Sequence, residues 1–208
     1  MKKIFSIIYL LPLLFLSAAG QSPLPESYDV YAGMGSPLSP DKFYDYWQYG
    51  IVLGCRVSFK QSNVSSIRAF TEYARFGLDK KRFLKGIKLP EEGNSISGAT
   101  TNIVLLGFDY QYFPIQESSA VRGYFLISGA VGISSIGSFN ATYTDYTTKQ
   151  ESILRLAVIG SLGVGYLVTI NSNVTWLFET KYSLGLLKNP ESNTAYLPIT
   201  TGLKMQLR

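Results

Sequence analysis

The segment Val174–Gly185, VTWLFETKYSLG, alternates. Val174, Trp176, Phe178, Tyr182 and Leu184 share one parity, and Thr175, Glu179, Lys181, Ser183 and Gly185 share the other. A period of two places these sets on opposite faces of a strand. One face is large and apolar, whereas the other carries a carboxylate, an ammonium and small polar groups. If the apolar face turns inward, the chain is a soluble barrel or sandwich; if it turns outward, the medium on that side is lipid.

The pattern recurs along the chain. Tyr28–Gly35, Tyr49–Phe59, Ser66–Phe76, Thr100–Phe113, Ala120–Ile133, Ile153–Thr169, Val174–Leu186 and Thr194–Arg208 read as strands, eight in all, with no helical period between them. Most reach the roughly nine to eleven residues that a tilted strand needs to cross a bilayer. Connections alternate in length. Short turns are expected at Gln61–Ser65, Pro114–Ser119 and Ile170–Asn173, and long polar segments at Ser36–Gln48, Gly77–Ala99, Gly137–Ser152 and Leu187–Asn193. That alternation predicts an all-β, antiparallel up-and-down transmembrane barrel, with short periplasmic turns and longer extracellular loops.

The two parities have different compositions. One collects Ile51, Leu53, Cys55, Val57 and Phe59, then Val104, Leu106, Phe108, Tyr110 and Tyr112, then Leu156, Val158, Leu162, Val164, Tyr166 and Val168. The other collects Gly54, Arg56, Ser58, Arg68, Glu72, Gly107, Asp109, Gln111, Arg122, Arg155, Ser161, Gly163, Gly165, Thr200, Gly202 and Lys204. A water-exposed sheet face is not built from so much glycine, because glycine weakens a strand and leaves nothing to pack. A narrow lumen does use it. Phe59, Tyr110, Tyr112, Tyr166 and Trp176 lie on the apolar parity near the short turns, where an aromatic girdle belongs. The apolar face is therefore read as outward, so that Glu179 and Lys181 enter the lumen.

Composition fits that reading. Charged residues make up only 16% of the chain and aromatics 14%, with 15 Tyr against 2 Trp. At the N-terminus, Lys2 and Lys3 precede an apolar run, Ile4–Leu16, and then Ser17, Ala18, Ala19 and Gly20. This is the pattern of a secretory signal peptide over residues 1–20, cleaved before Gln21, with a single barrel domain over 21–208. Cleavage would remove two lysines from a formal charge of +5. One cysteine, Cys55, permits no intramolecular disulfide.

With its leader, its eight alternating strands and stretches such as FETKYSLGL (Phe178–Leu186) and IGSLGVGYLV (Ile159–Val168), the chain resembles the small eight-stranded outer-membrane barrels of Gram-negative bacteria, of the OmpA and OmpX type. The resemblance spans the whole mature chain. It implies residence in the outer membrane as a monomer surrounded by outer-membrane lipids, with no nucleic-acid partner. Many such barrels end on an aromatic residue, whereas here Leu203, Met205 and Leu207 lead to Arg208.

Eight strands enclose an interior that side chains largely fill, and Tyr124, Leu126, Ile159, Leu167 and Leu177 add bulk on the inward parity. Inward charges in so narrow a space need partners. The expected lumen network is Arg56, Arg68, Glu72, Asp109, Arg122, Glu179, Lys181 and Lys204. Adjacent strands suggest Glu72 with Arg56 or Arg68, Glu179 with Lys181 or Lys204, and Asp109 with Arg122. Such a network is either a structural core or a gate.

Catalysis finds little support. The chain has no histidine, the usual proton-transfer residue near neutral pH. It shows no phosphate-binding loop, dinucleotide fingerprint or metal-ligand spacing. No enzyme activity, cofactor or metal is expected. The loops carry two further clusters. GLDKKRFLKGIKLPEE, Gly77–Glu92, holds Lys80, Lys81, Arg82, Lys85 and Lys88, suited to glycolipid phosphates or an acidic surface ligand. The loop Ser36–Gln48 holds Phe43, Tyr44, Tyr46 and Trp47, an adhesive patch or a folded lid. The reading is a non-enzymatic outer-membrane barrel, structural or surface-binding. A narrow solute channel and a soluble exported barrel binding an apolar ligand are the alternatives.

Overall fold

A computed structural model describes residues 25–39, 45–86, 88, 90, 92–114, 120–143, 147–186 and 194–207. Residues 1–20 lie outside this set, as do Phe43, Tyr44 and the connections expected over 115–119 and 187–193. Eight long strands form a closed antiparallel barrel: β1 (Ser27–Ser39), β2 (Gly50–Ser62), β3 (Ser65–Gly77), β5 (Thr100–Tyr112), β6 (Val121–Ile136), β9 (Ile153–Thr169), β10 (Val174–Leu186) and β11 (Thr194–Gln206). Each pairs with its chain neighbour, and β1 closes the cylinder on β11, with Asp29 opposite Lys204 and Tyr31 opposite Gly202. Closure leaves no edge strand in the barrel, the condition for a sheet to span lipid. Six of the strands have 13 residues. Such a strand is about 43 Å long, and a 45° tilt reduces its height to roughly the 30 Å of a hydrocarbon core.

The facing follows the parity. Leu106, Val158 and Leu162 point outward and are 64%, 51% and 63% exposed, whereas Arg56, Arg68 and Glu72 are each 1% exposed. Tyr110, Tyr112, Tyr166 and Trp176 stand exposed on the outer wall toward the short-turn rim. Arg155 is the departure. It shares the inward parity yet is exposed, because β9 extends beyond the filled lumen at its N-terminal end.

The short turns are locally encoded. Asn171 Oδ1 accepts hydrogen bonds from the backbone N–H groups of Asn173 (2.9 Å) and Val174 (3.0 Å), an Asx turn that reverses the chain between β9 and β10. At the opposite rim the expected loops are partly folded. Ser36–Ser39 continue β1, Gly77–Ala99 contains helix α1 (Lys80–Gly86) and strand β4 (Ser95–Gly98), and Gly137–Ser152 contains β7 (Phe139–Thr142) and β8 (Thr147–Gln150). β4, β7 and β8 form a separate three-stranded sheet. Asp79 caps α1 by accepting from the Arg82 N–H at 3.1 Å. Leu84, Ile96 and Ala141 form a small core between helix and sheet, flanked by Leu78, Phe83, Phe139 and Tyr143.

Candidate functional site

The lumen is stacked in layers. Toward the long-loop rim Val52, Ala74, Phe76, Ile103, Ala157 and Tyr196 belong to one continuous buried core, against which Trp47 packs from the adjoining loop. Below this apolar layer lie the charges. Glycine makes room where the rings are largest: Tyr31 stands between Gly54 and Gly202 in register, and Tyr124 opposite Gly165. A Cβ at Gly54 or Gly165 would run into the facing tyrosine ring.

Glu179 is the hub. It accepts from both terminal nitrogens of Arg56 (Nη2 to Oε1 2.5 Å, Nη1 to Oε2 3.1 Å), from Arg68 Nη2 at 2.9 Å and from the Tyr124 hydroxyl at 2.8 Å. Arg68 also donates its Nε to Asp109, its register partner on β5, at 2.5 Å, and reaches Asp29 at 3.8 Å. A second group centres on Glu72, which accepts from Lys181 Nζ at 2.6 Å, Tyr31 at 3.0 Å and Tyr196 at 3.1 Å. The guanidinium of Arg56 lies 3.9 Å from the centre of the Tyr31 ring, and Lys181 Nζ lies 4.9 Å from that of Phe70. The two hub carboxylates, Glu179 and Glu72, are multiply satisfied, the arrangement that offsets the cost of their desolvation, whereas Arg56 Nε and Asp29 Oδ1 are buried with no hydrogen-bond partner among the described residues.

Arg56, Arg68, Glu72, Asp109, Glu179 and Lys181 are buried in the lumen, and Arg122 and Lys204 are half-buried toward the short-turn rim, but the pairing differs from the neighbour-strand expectation. Glu179 on β10 pairs across the lumen with Arg56 on β2 and Arg68 on β3, and Glu72 on β3 pairs back with Lys181 on β10. Lys204 lies in register with Asp29 and Thr175, four residues along β11 from Thr200, the partner of Glu179. Arg122 donates to the Asn63 carbonyl at 3.2 Å and stacks over Phe113 at 4.5 Å, leaving Asp109 to Arg68. Long side chains inside an eight-stranded barrel reach its far wall, so adjacency on one wall does not decide the partner. Asp29, Tyr31 and Tyr196 join the network without having been expected there, and Tyr124 enters as a donor as well as bulk. Asp29 and Tyr31 are visible in the sequence as the inward parity of Tyr28–Gly35.

The second cluster forms the outer side of the cap. Lys80, Lys81, Arg82, Lys85 and Lys88 are all exposed, whereas Leu84 on the same helix is buried. Arg82 lies 3.5 Å from Asp79. From the β1–β2 connection, Tyr46 meets the Phe83 ring edge-on at 5.3 Å, Phe83 meets Phe139 at 6.4 Å, and Trp47 bridges to Leu78. Tyr46 and Trp47 therefore fold into the cap as a lid, whereas Tyr49, next to β2, stays exposed. Among the described residues no group of three or more His, Cys, Asp or Glu could hold a metal ion.

Neither a protein-family model nor a curated protein sequence matches the chain. Among solved structures it is similar to a major outer membrane protein of Thermus thermophilus, with a TM-score of 0.53 and 13% identity over 87% of this chain and 98% of that one. It is also similar to Ail, the attachment invasion locus protein of Yersinia pestis, with a TM-score of 0.50 and 11% identity over 88% of this chain and 100% of the other. The fold is that of small eight-stranded outer-membrane barrels.

Proposed function

We propose that this chain is an integral outer-membrane barrel without enzymatic activity, exported through a cleaved leader over residues 1–20, whose interior is closed and whose function lies on the folded cap at the long-loop rim. The observation that carries the reading is the pairing of a filled lumen with a built surface. Apolar packing and two ion-pair groups occupy the cross-section, while α1, packed on a small core of its own with the three-stranded sheet, carries four exposed cations and is followed by a fifth, Lys88. The apolar outer wall supports placement in lipid, because an aqueous medium would meet a belt of exposed Leu, Val, Ile, Met and aromatic residues on seven of the eight long strands, β3 being the exception. Of the surface roles, contact with phosphates of an anionic glycolipid, or with an acidic surface ligand, suits Lys80, Lys81, Arg82, Lys85 and Lys88 best.

Binding of the refolded protein to anionic glycolipid vesicles tests the reading. Each lysine near an anionic surface contributes about 1 kcal/mol, so Lys80→Gln, Lys81→Gln and Lys85→Gln together should weaken binding on the order of a hundredfold. Binding that is equal for the triple variant and insensitive to salt removes the basic face from the function. Discrete conductance steps in a planar bilayer instead favour the channel reading.

A further inference from the structure

We propose that the outer wall at the long-loop end of β3 carries a seat for the phosphate of an anionic glycolipid, built around Arg75. The proposal deepens the glycolipid reading above and rests on it. Among the described residues, Arg75 is the only charged side chain on the outward parity of the eight barrel strands. It is exposed, and its guanidinium forms no ion pair or hydrogen bond with another described residue. A permanent cation on a lipid-facing wall needs an anion, because hydrocarbon offers it none. Its height says which one. Ser65, ten positions before Arg75 on β3, lies in register with the girdle residue Tyr112. Ten residues extend about 33 Å along a strand, or about 23 Å in height at a 45° tilt, close to the roughly 25 Å of the apolar band of such barrels. Arg75 therefore stands at the opposite edge of that band, where the headgroup phosphates of the leaflet on the long-loop side begin.

The surroundings supply donors and room. On one side the register partner of Arg75 is Asn102. Its Oδ1 accepts from the Tyr73 hydroxyl at 2.8 Å, and its Nδ2 reaches Thr100 Oγ1 at only 3.4 Å, so the amide N–H groups are what it has left to give. On the other side the partner is Ile51, and Tyr49, two positions earlier on the same face, is 71% exposed. Gly77 continues the outward face toward the cap. A Cβ there would meet only Gln48 Oε1, at 3.9 Å, so the space beyond Arg75 is open. An arginine fork grouped with a carboxamide and a phenol hydroxyl suits a tetrahedral oxyanion, which takes several donors at once. The rest of a glycolipid fits the same wall. Below Arg75, Ile51 and Leu53 offer apolar surface to its acyl chains, and beyond Gly77 the exposed Lys80 and Lys81 open α1, in line with charges farther out on the same molecule. β3 is also the long strand without an exposed large apolar side chain, so polarity enters the belt here and at no other strand carries a charge with it.

The test is native mass spectrometry after reconstitution into phosphatidylcholine vesicles that contain a phosphorylated glycolipid, or the same glycolipid with its phosphates removed, and extraction into mild detergent. The wild-type barrel should retain the phosphorylated form. Arg75→Gln should reduce that adduct on the order of tenfold, the loss of one charge-assisted pair. Asn102→Asp, which sets a carboxylate beside the guanidinium, should reduce it as well. Arg75→Lys should keep part of it, since the charge stays and the fork is lost. Arg155→Gln, a change of the same charge at an exposed position on β9, should leave it unchanged. The dephosphorylated glycolipid should be held weakly, and alike by every variant. Arg75 bonds to no described side chain, so its variants should fold, with circular dichroism and unfolding midpoints as controls. An adduct indifferent to Arg75→Gln, or equal for the two glycolipid forms, overturns the proposal; the surface reading survives that result if Lys80→Gln, Lys81→Gln and Lys85→Gln still weaken vesicle binding. Inorganic phosphate bound with the same dependence on Arg75, and glycolipid not retained, assigns a free-anion site and overturns it. A dimer abolished by Arg75→Gln assigns the wall to a second copy and overturns it too. Wild-type protein that neither retains the glycolipid nor binds its vesicles rejects the seat and the surface reading together.

Discussion

Replacing Glu179 with Gln removes the carboxylate to which two buried guanidinium groups both donate hydrogen bonds. Arg56 and Arg68 both donate to this carboxylate, at 2.5 to 3.1 Å, and both side chains are within 1% of full burial. Without it, the remaining anions near them are Asp109, 2.5 Å from Arg68 and 3.8 Å from Arg56, and Asp29, 3.8 Å from Arg68. Breaking a buried pair by removing one partner typically costs about 3 to 5 kcal/mol. Glutamine keeps the volume and one carbonyl acceptor, and Asp109 still compensates part of the charge, so about 3 kcal/mol is the expected loss. The partners make the value diagnostic. With Arg56→Met already present, one stranded guanidinium is gone, and Glu179→Gln should cost about 1 to 2 kcal/mol less. With Lys204→Met present, the cost should be unchanged within about 0.5 kcal/mol, because Lys204 stands with Asp29 and away from Glu179. Urea unfolding in phospholipid vesicles, followed by tryptophan fluorescence, measures all three differences. Additivity of Glu179→Gln with Arg56→Met, or coupling to Lys204 of equal size, refutes the transluminal pairing.

The second ion-pair group should behave in parallel: Glu72→Gln leaves Lys181 without its 2.6 Å partner and should cost about 3 kcal/mol, partly recovered by Lys181→Met, measured by the same unfolding curves. Leu106→Arg or Val158→Arg, both outward and central, should cost roughly 2 to 4 kcal/mol in a bilayer, whereas Ser161→Thr in the lumen should cost much less; equal tolerance in vesicle unfolding contradicts the facing. Gly165→Ala would drive a methyl into the Tyr124 ring and should cost about 1 to 3 kcal/mol by overpacking. Adding Tyr124→Phe should give little relief in the same assay, because the ring carbon that blocks the methyl stays in place.

Parity made most of the barrel legible. Trp176, Leu106 and Val158 could be assigned outward and Arg56, Glu72 and Asp109 inward from alternation alone, because a side chain's face depends only on its position modulo two. Ion-pair partners were not legible for the same reason. Parity says which residues share the lumen but nothing of their height, which depends on stagger between strands, and a lysine or arginine is long enough to prefer the far wall. The cap was missed for a different cause. β4, β7 and β8 have four residues each and α1 has seven, too few for either period to emerge. Its one fully buried helical residue, Leu84, sits within KKRFLKG, where basic composition dominates the pattern.

The crossing of the two ion pairs bears on a problem that hydrophobic alternation leaves open. A slip of one residue turns every side chain to the wrong face and is strongly disfavoured, but a slip of two preserves the facing and is nearly invisible to the apolar pattern. On β10 the acid and the base are two residues apart, Glu179 and Lys181, and each finds its opposite on β2 and β3. Moving β10 by two residues in the direction that brings Lys181 to the height of Glu179 would set an ammonium against Arg56 and Arg68, three cations with Asp109 and Asp29 as the nearby anions. Moving it the other way would bring Glu179 to the height of Glu72, two carboxylates in a space with little water. Like charges at such range repel by several kcal/mol at an effective dielectric near 20, so either slip loses the native pairs and gains a repulsion. The alternation of opposite signs along one wall, met by the reverse order on the facing wall, therefore selects a single register among those that the apolar face tolerates equally.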